Sequence, residues 1–272
     1  MTGVPTAEQR ALIADLAETL EAVPEVTAGW LAGSLGAGGG DEWSDVDLLV
    51  LVAPGGTQAA STAIAERLRE RFRPVLLRPL YGGVVLTAVT PDWQRFDVSI
   101  SEPAGLAAQD AARLVRLFGP DEPAPPTLPP AEYRPQPQRV TELVQEFLRI
   151  LGLLPVGIGR EEYALGLTGI EHLRRLTFDL MLEANAVPPS ERGGALRRNP
   201  FLTDEQRTGM AAVPPLSATR ESVIAGHLAF ARLTLPIARS LSADTGAHWP
   251  AALEQATRLR LESALGLQAD WS

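Results

Sequence analysis

Three aspartates carry the chemical interest of this sequence. Asp45 and Asp47 stand at the mouth of an almost unbroken apolar run in WSDVDLLVLV, and Asp97 lies within the alternating stretch WQRFDVSIS. A β-strand turns successive side chains to opposite faces, so Asp45 and Asp47 share one face while Val46, Leu48 and Val50 share the other. The same period puts Arg95, Asp97 and Ser99 together, opposite Phe96, Val98 and Ile100. Carboxylates a few ångströms apart repel. Such a pair persists where it binds a divalent cation, shares a proton or is well solvated. Hard oxygen donors on neighbouring same-face positions suit Mg²⁺, which keeps waters and completes its shell from substrate phosphates. If the two strands lie side by side, one site collects all three carboxylates.

Upstream, Gly33-Ser34 falls where a strand gives way to a helix. Glycine permits close backbone approach, and a serine hydroxyl with nearby N–H groups can hold a phosphate. Taken alone, Gly33-Ser34 reads as a plain turn, and Asp97 as a surface carboxylate or the ion-pair partner of Arg95. Together these residues supply what metal-assisted phosphoryl or nucleotidyl transfer needs.

The elements that must position them follow from periodicity. Leu12, Ile13, Leu16, Leu20 and Val23 recur at helical spacing over about 6–23, with Thr6 placed to cap. Strands are expected over 26–32 and 45–52. Pro54-Gly55-Gly56 ends the second, and Thr57 can cap a helix over about 57–72. Further strands are expected at 74–78, 83–89 and 93–101, the last two joined as a hairpin around Pro91-Asp92. A helix over about 104–118 closes the region. The next stretch, GPDEPAPPTLPPAEYRPQPQ, is too proline-dense for a helix or a central strand. Beyond it the pattern is helical, at about 139–151, 160–186, 203–211, 218–242 and 250–265. The expected organisation is α+β: a mixed sheet with flanking helices in 1–118, a proline-rich linker in 119–138 and an all-helical domain in 139–272.

Composition narrows the function. There is no cysteine, which excludes disulfides, thiolate metal sites and a cysteine nucleophile. His172, His227 and His248 lack ligand spacing, so a histidine zinc site is not expected. A net charge of −9 disfavours general nucleic-acid binding and is compatible with a cationic small molecule. The N-terminus shows no basic start followed by an apolar core, and no apolar run reaches membrane-spanning length, so a soluble cytoplasmic protein is expected.

Gly33-Ser34 followed after about ten residues by Ser44-Asp45-Val46-Asp47, with Asp97 on a later strand, resembles the DNA polymerase β-like nucleotidyltransferase superfamily. Within it, a small N-terminal domain followed by a helical one is most similar to the aminoglycoside and lincosamide adenylyltransferases of antibiotic resistance. The motif resemblance covers roughly the first hundred residues. It implies Asp45, Asp47 and Asp97 as metal ligands, Gly33 and Ser34 as phosphate-holding residues, and Asp97 as the alternative general base. It also implies Mg²⁺ as cofactor, ATP or another nucleoside triphosphate as co-substrate, and a small-molecule acceptor held by the helical domain. Two other outcomes stay open: a protein adenylyltransferase of toxin–antitoxin type, and a non-catalytic nucleotide-binding module of the same fold. One departure stands out. Many relatives carry a basic residue soon after Gly-Ser, whereas Leu35-Gly36-Ala37-Gly38-Gly39-Gly40 has none.

The helical half offers Glu161, Glu162, Glu171, Asp179 and Glu183 toward a cationic acceptor, though most helix charges are solvated faces. In RGGALRRNP, Arg197 or Arg198 could reach phosphates, and an ordinary surface loop is the plainer reading. Packing accounts for Trp30, Trp43 and Trp93 as well as base stacking does. His172 and His227 read as packed or exposed helix residues rather than catalytic ones.

Overall fold

The computed structural model describes residues 4–129, 132–192, 197–268 and 271. The middle of the arginine-rich stretch, 193–196, lies outside the described residues. The chain divides into two compact units, Met1–Pro130 and Ala131–Ser272.

The first unit runs α1 (Ala7–Glu21), β1 (Val26–Leu31), α2 (Gly33–Gly36), β2 (Val46–Val52), α3 (Thr57–Phe72), β3 (Leu76–Leu80), β4 (Val85–Val89), β5 (Arg95–Ser101), α4 (Pro103–Leu106) and β6 (Val115–Phe118). The six strands form one sheet in the order β3-β4-β5-β2-β1-β6. Only β2 and β5 pair in parallel; the other neighbours are antiparallel. One core joins Leu16 and Leu20 of α1 and Ile64 and Leu68 of α3 to Val46, Leu48, Val50, Phe96 and Val98 of the sheet. The alternation expected along β2 and β5 is therefore realised, with these residues covered by helices and the aspartates left to the other face. That second face carries a smaller cluster of Trp30, Leu49, Leu51 and Leu106.

The region expected as a helix over 104–118 is different. After the short α4 come a 3₁₀ turn at Ala111–Arg113 and the edge strand β6, antiparallel to β1. The run Leu114-Val115-Arg116-Leu117-Phe118 suits either period, and tertiary context decides it. Gly29 of β1 leaves the space: a β-carbon there would stand 2.3 Å from the Phe118 ring. The ring thus seats on bare backbone, and Arg116 lies over the buried Trp30 at 4.9 Å.

The second unit is helical throughout its regular elements: α5 (Pro137–Gly152), α6 (Leu154–Gly159), α7 (Tyr163–Ala184), α8 (Asp204–Ala211), α9 (Arg220–Thr245) and α10 (Ala251–Leu265). All were expected except α6, whose glycines and proline give no helical pattern. A separate core built on Phe147, Leu148, Leu173, Leu180, Phe230 and Leu235 holds them together. Each such fully buried side chain contributes about 1.5–3 kcal/mol. Among the described residues, no helix is long and apolar enough to cross a membrane.

Of the charges considered for the helical half, Glu161 and Glu162 are exposed and the others have ordinary partners. Glu171 pairs with Arg174, Asp179 lies 3.8 Å from Arg139, and His172 lies 3.9 Å from Glu146. Glu183 is buried and accepts from Tyr133 at 2.5 Å and Arg192 at 2.8 Å.

Candidate active site

The parallel pairing of β2 with β5 sets Asp47 directly opposite Asp97, with Val46 opposite Phe96 and Leu48 opposite Val98. Neighbouring strands lie about 4.8 Å apart, so two carboxylates project side by side from one face. Asp45 stands one residue before β2, at the same end.

Asp47 bears the strain of this arrangement. Burial, followed by the charges of Asp45 and Asp97, pushes its pKa from 3.8 up to about 6, against a lowering by Arg95. Arg95 reaches Asp45 at 4.0 Å and donates to the Trp43 carbonyl at 3.2 Å. The ion pair considered for Arg95 with Asp97, its neighbour two residues along β5, therefore goes to Asp45 instead. Arg95 is the cation at this site, whereas the glycines after Gly33-Ser34 offer none.

Gly33 is close to the pair. Its φ is +59°, and a β-carbon would stand 1.8 Å from Asp47 Oδ2. Only glycine accommodates both the left-handed backbone and the carboxylate lying against it. Ser34 follows in α2, where its hydroxyl donates to Ser44 Oγ at 3.1 Å. The strand-to-helix transition expected at Gly33-Ser34 is present. The backbone N–H of Ala32 donates to the Asp47 carbonyl at 2.8 Å, tying this turn to the start of β2.

The turn before Asp45 is held from a distance. Gln9, buried in the first turn of α1, donates through Nε2 to the carbonyls of Asp41 and Ser44, both at 2.9 Å. Its Oε1 accepts from the Thr6 N–H at 2.8 Å, completing a capping box. Ser44 Oγ adds a bond to Asp41 Oδ1 at 3.0 Å and accepts from the Asp41 N–H at 3.0 Å. Sequence reading finds Thr6 as a cap but not the part of Gln9, whose amide also joins positions more than thirty residues apart.

Trp30 is buried under Arg116, whereas Trp43 and Trp93 are 78% and 76% exposed. The expected set Gly33, Asp45, Asp47 and Asp97 is thus gathered at one end of the β2–β5 pair, with Ser34 one residue beyond.

Among the described residues, no group of three or more His, Asp or Glu side chains is arranged to hold a metal ion outright. The donor chemistry nevertheless fits Mg²⁺. That ion is usually held by one or two carboxylates together with substrate phosphates rather than by an all-protein cage. Asp47, raised in pKa beside two further carboxylates, is a group whose charge a cation would relieve.

No family model and no curated protein matches the chain. Solved structures do. An aminoglycoside 6-adenyltransferase from Bacillus subtilis is 14% identical over 94% of this chain and 97% of its own, with a TM-score of 0.44. Terminal uridylyl transferase 4 from Trypanosoma brucei with bound GTP is 17% identical over 83% of this chain, with a TM-score of 0.31. The match spans 64% of that protein's length. The E. coli MS115-1 CdnC:HORMA-deltaN complex matches at 14% identity over 94% of this chain and 90% of its own, with a TM-score of 0.28. Superpositions this loose leave the function to be argued from the site's own residues.

Proposed function

We propose that the chain is a nucleotidyltransferase that moves a nucleoside monophosphate, AMP from ATP in the simplest case, to a hydroxyl of a small acceptor. The observation that carries this reading is the register that sets Asp47 opposite Asp97, with the Asp47 carboxylate against Gly33. Asp45 and Asp47 would hold Mg²⁺, which supplies positive charge to the triphosphate and to the leaving pyrophosphate. The open backbone of Gly33 lets the phosphates approach Asp47, and Ser34 offers its hydroxyl beside them. Arg95 lies 4.0 Å from Asp45 at this end of the strand pair, so it is the residue to take the part of the missing basic one. Asp97 accepts the acceptor's hydroxyl proton. The freed oxygen bonds to the α-phosphorus in line with the bond to the departing pyrophosphate. Cationic acceptors such as aminoglycosides suit the net charge of −9.

Calorimetric titration of a non-hydrolysable ATP analogue, with and without Mg²⁺, tests this reading. Binding that needs the cation and is lost in Asp47→Asn is the expected result. Silence with all four nucleotide analogues in the wild type overturns it. Pyrophosphate release in the presence of candidate aminoglycosides, lincosamides and protein partners then identifies the acceptor.

A further inference from the structure

The helical unit contains a cavity of its own. It measures about 260 Å³ and lies among α5, α6, α7 and α9, with Ile150, Val156 and Leu165 among its apolar walls. Its shape depends on missing side chains. A β-carbon on Gly166 would stand 2.6 Å from Val223, and one on Gly169 would stand 3.1 Å from His227 Nε2. Two glycines one turn apart on α7 therefore let α9 come close while keeping space beside the imidazole. Leu153 and Leu165, 47% and 64% exposed, leave apolar surface at the mouth.

Arg160 and Glu162 line the cavity from exposed positions, and His227 is the buried polar group of its wall, only 3% exposed. Its Nδ1 lies 2.8 Å from the Val223 carbonyl, one turn back along α9. A carbonyl only accepts, so Nδ1 carries the proton, and the neutral ring presents Nε2 as a lone pair. Burial also lowers the imidazole pKa, opposed by the Val223 bond. Among the described residues no hydrogen bond reaches Nε2. The nitrogen is not among the sealed, unpartnered polar atoms of the described residues, so it is reached from the open side of the cavity, where a donor can meet it.

We propose that this cavity is a binding site for a small, largely apolar molecule that donates one hydrogen bond, from a hydroxyl or ring N–H, to His227 Nε2. A cavity of about 150 Å³ lined by apolar groups accepts benzene; this one has room for a fused bicycle. The site lies wholly within residues 131–272 and is independent of the carboxylate chemistry of the first unit.

Fluorine NMR on the full chain tests the proposal, using a fluorinated naphthol and the matching fluoronaphthalene that lacks the hydroxyl. The naphthol is expected to bind about tenfold more tightly, the value of one satisfied hydrogen bond. In His227→Phe the advantage should vanish. Gly157 also lines the cavity, and a β-carbon there meets nothing within 4 Å, so Gly157→Leu should fill the space without a clash and expel both probes. Circular dichroism confirms that each variant is folded. Equal affinities for the two probes in the wild type overturn the proposal, as does a Gly157→Leu protein that binds undiminished. Failure of both probes to bind also overturns it, and assigns the cavity to packing against protein.

Discussion

At the scale of single residues, Asp47 is a group whose charge works against the fold. Its pKa near 6 in the folded chain lies above the ordinary 3.8, so the folded state holds the proton more tightly than the unfolded chain does. The stability this confers is complete below about pH 4 and disappears as the pH rises through 6, a loss of about 3 kcal/mol. Asp47→Asn should therefore abolish turnover yet raise the denaturation midpoint at neutral pH in chelator, with the gain shrinking toward pH 4. Gly33→Ala should shift stability the opposite way. Its β-carbon meets the Asp47 carboxylate, and its φ is one that alanine adopts only with strain, so both activity and about 1–2 kcal/mol of stability should be lost. Asp45, Asp47 and Asp97 were legible in the sequence because a polar residue in an alternating strand is placed by arithmetic alone. The pairing of Arg95 with Asp45 was not, because it depends on where the turn after Trp43 runs.

At the scale of elements, α1 does two tasks through one side chain. The Gln9 carbonyl oxygen caps its own helix, and its amide nitrogen clamps the Asp41–Ser44 turn. Gln9→Glu keeps the acceptor and removes both donors. It should lower activity and cost about 2 kcal/mol while leaving the helical circular dichroism unchanged, because two buried bonds are lost but the cap is not. Gln9→Ala should lose the cap as well. The edge strand β6 shows where periodicity fails. The five residues Leu114 to Phe118 fit two periods, and the gap at Gly29 favours the strand. Phe118→Ala should cost about 3 kcal/mol in chemical denaturation by emptying that gap. Most helices of the second unit were legible almost to their ends because α5, α7, α9 and α10 each run at least 15 residues, and Thr203 marks the start of the short α8. The exception, α6, is six residues long with proline and glycine inside it, so tertiary packing forms it rather than propensity.

At the scale of the whole molecule, the two units carry separate cores from separate stretches of sequence. Proteolysis within the proline-rich stretch 119–138 should release two fragments, and residues 131–272 produced alone should melt cooperatively in calorimetry. A fragment that is molten instead would show that the second core needs the first unit. The α+β class was legible because every period-two segment precedes the proline-rich stretch and only helical periods follow it. The His227 cavity was not, since it exists only where Gly166 and Gly169 face another helix. The parallel register of β2 and β5 has a further consequence in time. Asp47 and Asp97 lie on opposite sides of a crossover that includes α3, β3 and β4, so no local segment can bring them together. The acid pair is assembled only when that long-range closure is complete and Ser101 has left the ribosome. A nascent or truncated chain that stops short of β5 cannot pair these carboxylates, and a chain that has paired them lacks only the edge strand β6 of its sheet.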